Sequence, residues 1–347
     1  MPPSVPTPAP VARQRLVDVL KAGAAQLILW HHLSAYGPLA EAAATAWPAT
    51  MDWLYNHARI AVQVFLVTGG YLAYRHLQIR TTRQASTSLR LVWQRYLRLT
   101  VPLLVALVFT VLAALWARAW IDDSFVPDTP TWMQWVAHAL LLHDLMDQEA
   151  LSTGVWYVAI DFQLYTGLAL CMWLGAVCQR PVLGTLGWLA LTASSLFLFN
   201  RHPGWDTWGL YFFGAYGMGV AARVVQQQTW HRWGVWAMGA AGACALWVDF
   251  RARIALASTV ALLLASGWQP RLAPWVERCV DWMSKTSYGL FLLHFTWLLV
   301  GNTVFERWLP TTPQTALGTM LGVWLLSMVS AHWFEKWVET PLGQRLG

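Results

Sequence analysis

Residues 16–38 read LVDVLKAGAAQLILWHHLSAYGP. The run is apolar over about 20 residues, the length a helix needs to cross roughly 30 Å of hydrocarbon. It nevertheless carries Asp18, Lys21, His31 and His32. An ionisable side chain inside a span costs about 2.5–3.5 kcal/mol on insertion scales, so each is a functional candidate by default. Lys21 and His32 are eleven residues apart. At about 100° and 1.5 Å per residue they return to within about 20° of one face, roughly 16 Å apart along the axis. One face therefore carries a cation near one end and an imidazole near the other. Snorkelling of Lys21 to one interface, with His32 among the opposite headgroups, accounts for the same spacing. Spacing alone leaves both readings open.

The rest of the chain continues this pattern. Of 347 residues, 57% are hydrophobic and only 12% charged, against about 25% charged in an ordinary soluble domain. Mean hydropathy is +0.41. These values exclude a disordered chain, a coiled coil and a disulfide scaffold, and they argue against a soluble globular enzyme. Apolar stretches predict spans at 16–35, 58–76, 99–120, 154–178, 182–199, 207–225, 233–249, 254–268, 284–304 and 314–334. Between the third and fourth lies a long loop, 121–153. Its middle, TWMQWVAHALLLH, is apolar but short, and predicts an interfacial or re-entrant helix. Residues 1–12 are Pro-rich and read as a disordered tail. Residues 13–341 form one membrane unit, and 342–347 are a short C-terminal tail. Asp18 and Lys21 interrupt the start of the first apolar run and no small-residue cleavage site follows, so it reads as a retained helix.

The net charge of +6 could suggest nucleic acid, but the basic residues sit between apolar spans, so no nucleic-acid partner is expected. With the N-terminus in the cytoplasm and alternating spans, sixteen of the 23 Lys and Arg fall inside and six outside, Lys21 remaining in its helix. The positive-inside rule then predicts an all-α, polytopic integral membrane protein of about ten transmembrane helices with both termini cytoplasmic. Arg75 to Arg98 is the most basic stretch, with six Arg and no acid. Arg95 and Arg98, three apart, share a helix face. They suit bidentate phosphate contacts, or plain topology with anionic lipid binding. The four cysteines show no CxxC pattern and read as small core residues.

Further polar residues mark other spans. Arg59 stands at the outer end of the second. Asp161, Gln163 and Tyr165 open the fourth, in VWYVAIDFQLYTG, where an acid could orient a histidine or simply face water. The ninth, in KTSYGLFLLHFTW, holds Tyr288 and the buried-by-position His294. A metal box, a phosphate-binding Gly loop, a G-x-S-x-G elbow and a glycosidase carboxylate pair are not evident.

Together these stretches resemble the acyltransferase 3 family of integral membrane O-acyltransferases over about residues 16–341. The family's basic-x10-His motif is Lys21 to His32, with Lys for the commoner Arg and an extra His31. VFLVTGGYL stands for its Phe-rich Ser-Gly-Phe-Leu segment, with Gly69 for Ser. Its R-x-x-R-x-x-x-P is Arg95, Arg98 and Pro102. Its W-S-L-S-V-E-E-Q-F-Y is Trp156 to Tyr165, with Asp161 and Phe162 for the two Glu. Its S-Y-x-x-Y-L-x-H is Ser287, Tyr288, Phe291, Leu292 and His294, and its E-x-P is Glu339 and Pro341.

The resemblance implies transfer of an acyl group, acetyl first, from cytoplasmic acyl-CoA to a hydroxyl of an extracytoplasmic glycan or lipid-linked saccharide, in a bacterial inner membrane. It implies acyl-CoA as co-substrate, no permanently bound cofactor and no metal. His32, Lys21 and Asp161 become the catalytic candidates, Asp161 orienting an imidazole. Arg95 and Arg98 become the donor-binding candidates. Arg59, His31, Gln163, Tyr165, Tyr288 and His294 become candidates for substrate or transition-state contacts. Some members carry an added extracytoplasmic hydrolase-like domain; a chain of this length implies action alone or with a separate glycan-synthesis protein, among membrane lipids. A transporter or flippase of a lipid-linked glycan or acyl donor is the alternative, against which stands the lack of an inverted repeat.

Overall fold

A computed structural model describes residues 14–346. The expected tail at 1–12, Arg13 and Gly347 lie outside these residues. The described chain is helical, with no strand: α1 (Arg15–Ala35), α2 (Gly37–Ala46), α3 (Pro48–His57), α4 (Val62–Arg80), α5 (Ala85–Arg118), α6 (Trp132–Ala139), α7 (Val155–Val177), α8 (Pro181–Phe197), α9 (Gly209–Gln226), α10 (His231–Val248), α11 (Ala252–Ala265), α12 (Pro274–Lys285), α13 (Ser287–Trp308), α14 (Pro313–Phe334) and α15 (Thr340–Leu346).

Each of the ten predicted spans falls on a helix. Among the described residues, five segments are long and apolar enough to cross a membrane by length and composition: Ala85–Arg118, Val155–Val177, Pro181–Arg201, Ser287–Trp308 and Pro313–Leu346. Large apolar side chains such as Phe109, Leu112, Leu174, Leu325 and Val329 face outward from them. A surface this apolar needs a lipid solvent.

The structure corrects several boundaries. The predicted span 99–120 is the C-terminal part of a single 34-residue helix, α5, because the basic segment before it contains no helix breaker. The span predicted from 58 opens as a 3-10 turn, Ala58–Ala61, and α4 runs on to Arg80. Four short helices, α2, α3, α12 and α15, were not predicted. In the long loop only Trp132–Ala139 is helical, started by a capping box between Thr131 and Gln134. The cysteines are unpaired, but Cys178, Cys244 and Cys279 are exposed and not core residues, since in a membrane fold apolar residues also face outward.

The helix that decides the fold sits in the middle of it. One side of α1 (Leu16, Val17, Ala24, Ile28) packs into a core shared by α4, α7, α8, α9 and α11. Its other side (Ala25, Leu29, Leu33) packs into a second core with α2, α5, α13 and α14. Small residues allow this wedge. The α4–α9 crossing is tighter still: a Cβ at Gly70 would collide with the Tyr216 carbonyl, and one at Gly219 with the Val67 carbonyl. Glycine is required where backbones meet in this way. Lys21 and His32 are thus carried on a helix fixed from two sides.

Both described chain ends lie at one end of the bundle. Arg15 pairs with Glu277 of α12 at 2.8 Å, and Gln94 of α5 donates to the Leu346 carbonyl at 2.6 Å. This end also holds Arg95 and Arg98 and is called the basic end below. The opposite end holds His31, His32 and Arg59 and is called the histidine end.

Candidate active site

At the histidine end a cavity of about 500 Å³ is lined by His31, His32, Tyr36, Arg59, Trp156, Phe291 and Phe295, and by the long loop through Ser124, Phe125, Glu149, Ser152 and Thr153. The His32 ring stands 4.8 Å from that of His294 and stacks on Tyr36 at 5.8 Å. His294 Nδ1 donates to the Leu290 carbonyl at 3.2 Å. That bond fixes its tautomer, so Nε2 carries only a lone pair. Nε2 of His294 and Nδ1 of His32 are both buried without a hydrogen-bond partner. Such atoms cost about 1–3 kcal/mol each when left unmet, and two of them on neighbouring rings, one of which lines the cavity, mark a candidate place for a reacting group. His31 is spent differently: its Nδ1 donates to the Leu54 carbonyl at 3.2 Å.

The loop that roofs this cavity is itself held by histidines. His138 and His143 are completely buried and stack at 4.4 Å with ring planes 9° apart. His138 Nδ1 donates to the Gln134 carbonyl at 2.7 Å, and its Nε2 accepts from the Leu151 amide at 3.1 Å. Both nitrogens of a neutral ring are thereby used. Burial pushes the pKa of each imidazole down to about 4, so this bracket is uncharged at neutral pH.

At the basic end a second cavity, about 270 Å³, is lined by Lys21, Phe65, Thr68, Gly69, Arg95, Arg98, Tyr157, Asp161, Tyr288 and Phe291. A side cavity beneath it adds His76, Gln94 and Tyr165. Arg95 and Arg98 border both. Asp161 is engaged by Arg95, whose Nε donates to Oδ2 at 3.0 Å and whose Nη2 shares the same oxygen. Tyr165 lies under the same guanidinium at 5.4 Å, and its hydroxyl meets His76 Nδ1 at 3.2 Å. Arg98 is exposed and reaches the Gly343 carbonyl at 3.5 Å. Pro102 lies one turn on in α5, removing the amide that would bond the Arg98 carbonyl. The Tyr288 hydroxyl donates to the neighbouring Leu99 carbonyl at 2.8 Å. Lys21 faces Asp18, Glu339 and Arg95. Glu339 ends a π-helical segment, Glu335–Glu339, a geometry frequent at functional sites.

The two cavities meet at Phe291, which lines both. Gly154 opens α7 with φ +84, and a Cβ there would lie 2.9 Å from the Phe291 ring. The left-handed conformation and the close approach both demand glycine. Tyr157 presses on the same ring, edge-on at 5.7 Å.

The structure thus brings together most of the residues singled out from sequence. Lys21, Arg95, Arg98, Asp161 and Tyr288 meet in one cavity, His31, His32 and Arg59 in the other, and His294 lies against His32. Two differ from expectation. Asp161 pairs with Arg95, and no histidine hydrogen-bonds it among the described residues. Gln163 borders neither cavity; its Oε1 accepts from the Gly209 amide at 2.7 Å and ties α7 to the start of α9. Sequence reasoning did not single out Tyr36, His76, Tyr157 or Phe291 as site residues. Tyr157 and Phe291 lie inside the two motifs around Asp161 and His294, which was the available signal. Tyr36 and His76 carried none.

Among curated proteins and among solved structures, no relative matches this chain. A family model described as an acyltransferase domain matches residues 15–330. This stretch runs from the first residue of α1 into α14 and takes in both cavities. The chain therefore belongs to the acyltransferase 3 family of membrane acyltransferases.

Proposed function

We propose that the protein moves an acyl group, acetyl by preference, from cytoplasmic acyl-CoA to a hydroxyl of an extracytoplasmic glycan or lipid-linked saccharide, in a bacterial inner membrane with the basic end inward. The observation that carries this reading is the meeting of two chemically different cavities at Phe291, with Lys21 and His32 on one helix facing one each. A charged donor and a polar acceptor on opposite sides of a membrane require this arrangement.

Donor phosphates dock first on Arg98, whose guanidinium is exposed, and next on the edge of Arg95 that Asp161 leaves uncovered. Asp161 then holds Arg95 in place and does not orient the base. The thioester passes Lys21 and reaches Phe291. On the far side, Nε2 of His32 takes the proton of the acceptor hydroxyl as its oxygen attacks the thioester carbonyl. The tetrahedral intermediate collapses, the C–S bond breaks, and the CoA thiolate leaves with the proton from the imidazolium. His294 is the group placed to orient His32, because its Nε2 can only accept and its ring lies 4.8 Å from that of His32. Thr153 borders the cavity where the oxyanion would form, and Arg59 stands beside it to hold an anionic acceptor. His31 shapes the wall beside it.

The test uses the full chain in lipid nanodiscs. CoA release from acetyl-CoA is followed with and without a crude surface-glycan extract, for the wild type and His32→Ala. Release that rises with extract and drops by about 100-fold or more in the variant supports the assignment. Equal release by the two proteins removes His32 from the chemistry.

A further inference from the structure

Three of the arginines at the histidine end converge on a third cavity of about 490 Å³, lined by Arg59, Trp156, Asp206, Tyr211, Arg251 and Arg253 among others. It shares Arg59, Val62 and Trp156 with the cavity of His32. The two are neighbours across one wall.

The three arginines are not equivalent. Arg251 is spent on the fold. It donates to Asn200 Oδ1 at 2.8 Å and to the Leu196 carbonyl at 3.0 Å, and Asp249 lies 3.4 Å from its Nε. Asp249 is also shared with Arg201. Arg253 has one internal hydrogen bond, from Nη2 to the Asn200 carbonyl at 2.8 Å. Its guanidinium lies over the Tyr211 ring at 4.8 Å, which sets its plane, and its Nε is buried without a partner. Arg59 makes no hydrogen bond or ion pair among the described residues. The acid on the wall, Asp206, pairs with neither.

Positive-inside topology accounts for arginines at the basic end and not for these. Arg59 is exposed and Arg253 half-buried, so both guanidiniums are accessible from solution. A planar fork with its plane fixed and a donor unmet is the group that recognises carboxylate or phosphate. The wall between this cavity and His32 is one residue thick at Arg59.

We propose that Arg59 and Arg253 form an oxyanion subsite for the acceptor, so that the acceptor is an anionic saccharide, carrying a phosphate or carboxylate, whose hydroxyl reaches His32 past Trp156. The assignment rests on the acyl-transfer reading above and deepens it by naming the acceptor's charge.

The experiment uses the full chain in phosphatidylcholine nanodiscs with acetyl-CoA. Glucuronic acid and glucose 1-phosphate are compared with glucose as acceptors that accelerate CoA release. The charged sugars act at about tenfold lower concentration than glucose. Arg253→Gln and Arg59→Gln each bring that ratio close to one, and Arg253→Lys retains part of it. Arg59 makes no internal bond, so its variant tests the subsite even if the Arg253 variant folds poorly. Arg307→Gln changes an arginine stacked on Trp120 elsewhere at this end, and it keeps the wild-type ratio. Equal action of glucose and the charged sugars overturns the proposal, as does an unchanged ratio in both Gln variants. A charged-sugar advantage that vanishes when phosphatidylglycerol is added to the discs also overturns it, by showing a lipid site. Absence of any His32-dependent CoA release overturns the acyl-transfer reading itself, which separates the two failures.

Discussion

The cavities on either side of Phe291 treat their polar groups in opposite ways. At the basic end they satisfy one another: Arg95 holds Asp161, Tyr288 holds the Leu99 carbonyl, and Ser284 donates to Asp18 at 2.8 Å. At the histidine end they are left waiting: His32 Nδ1, His294 Nε2 and Arg253 Nε have no partner. Satisfied groups give a rigid wall with a fixed positive face, suited to holding a donor by its phosphates. Unsatisfied groups cost stability and are tolerated where a substrate completes them. On the proposed reading, the contrast separates binding from chemistry on the two ends of one helix. The basic end has its own exceptions: Thr100 Oγ1, Ser88 Oγ and Glu339 Oε1 are buried there without a hydrogen-bond partner.

Breaking the satisfied side should have the largest effect on the fold. Asp161→Asn leaves Arg95 without its carboxylate and should cost about 2–3 kcal/mol, somewhat below a fully sealed pair because Arg95 borders a cavity. Thermal unfolding of the variant in nanodiscs checks this. A Tm equal to wild type would mean the pair holds nothing.

Acid should loosen the roof of the histidine end before the basic end. His138 and His143 titrate near 4 when folded and near 6.5 when unfolded. The unfolded loop binds more protons between those values, so stability is complete above pH 6.5 and is lost as pH falls toward 4. At about pH 5.5 the loss is about 1 kcal/mol per ring. Hydrogen exchange at residues 131–151 should rise reversibly there, and His143→Phe should blunt the rise. Exchange that ignores pH over this range would contradict the neutral, stacked assignment.

Two kinetic changes sharpen the same contrast with smaller effects. Arg98→Ala should raise the donor KM by about tenfold with kcat nearly unchanged, the signature of lost binding. A fall in kcat with constant KM would move Arg98 out of the donor site. Phe291→Ala removes the partition, so a few-fold more acyl-CoA should be lost to water per acyl group transferred. Counting CoA released against acyl-glycan formed measures that ratio, and an unchanged ratio would deny Phe291 its dividing role.

Much of this was legible in the sequence, for physical reasons. Apolar runs located the five segments long and apolar enough to cross a membrane, and the eleven-residue step carried Lys21 and His32 on one helix, α1. What escaped depended on partners far away in the chain. Asp161 was expected beside an imidazole because carboxylates often serve histidines; its actual partner, Arg95, is on a different helix 66 residues away. His32 and His294 were each read from their own spans, but their meeting is a property of α1 packing on α13. Helix α12, PWVERCVDWMSK, was missed because its charges break any apolar run, although its one-sided pattern suits a membrane interface. The short helices α2 and α3 were missed because each is ten residues long, about half a membrane span, with Pro48 between them. The anionic subsite is tertiary throughout, since Arg59 and Arg253 are brought together only by the fold.

The central claim is that donor and acceptor enter from opposite ends and meet at His32. Sealed proteoliposomes of one orientation, loaded with labelled acetyl-CoA on the basic side and surface-glycan extract on the other, test it directly. The account predicts label on the glycan across the bilayer, abolished by His32→Ala. Label that forms only when donor and acceptor share one side would contradict it.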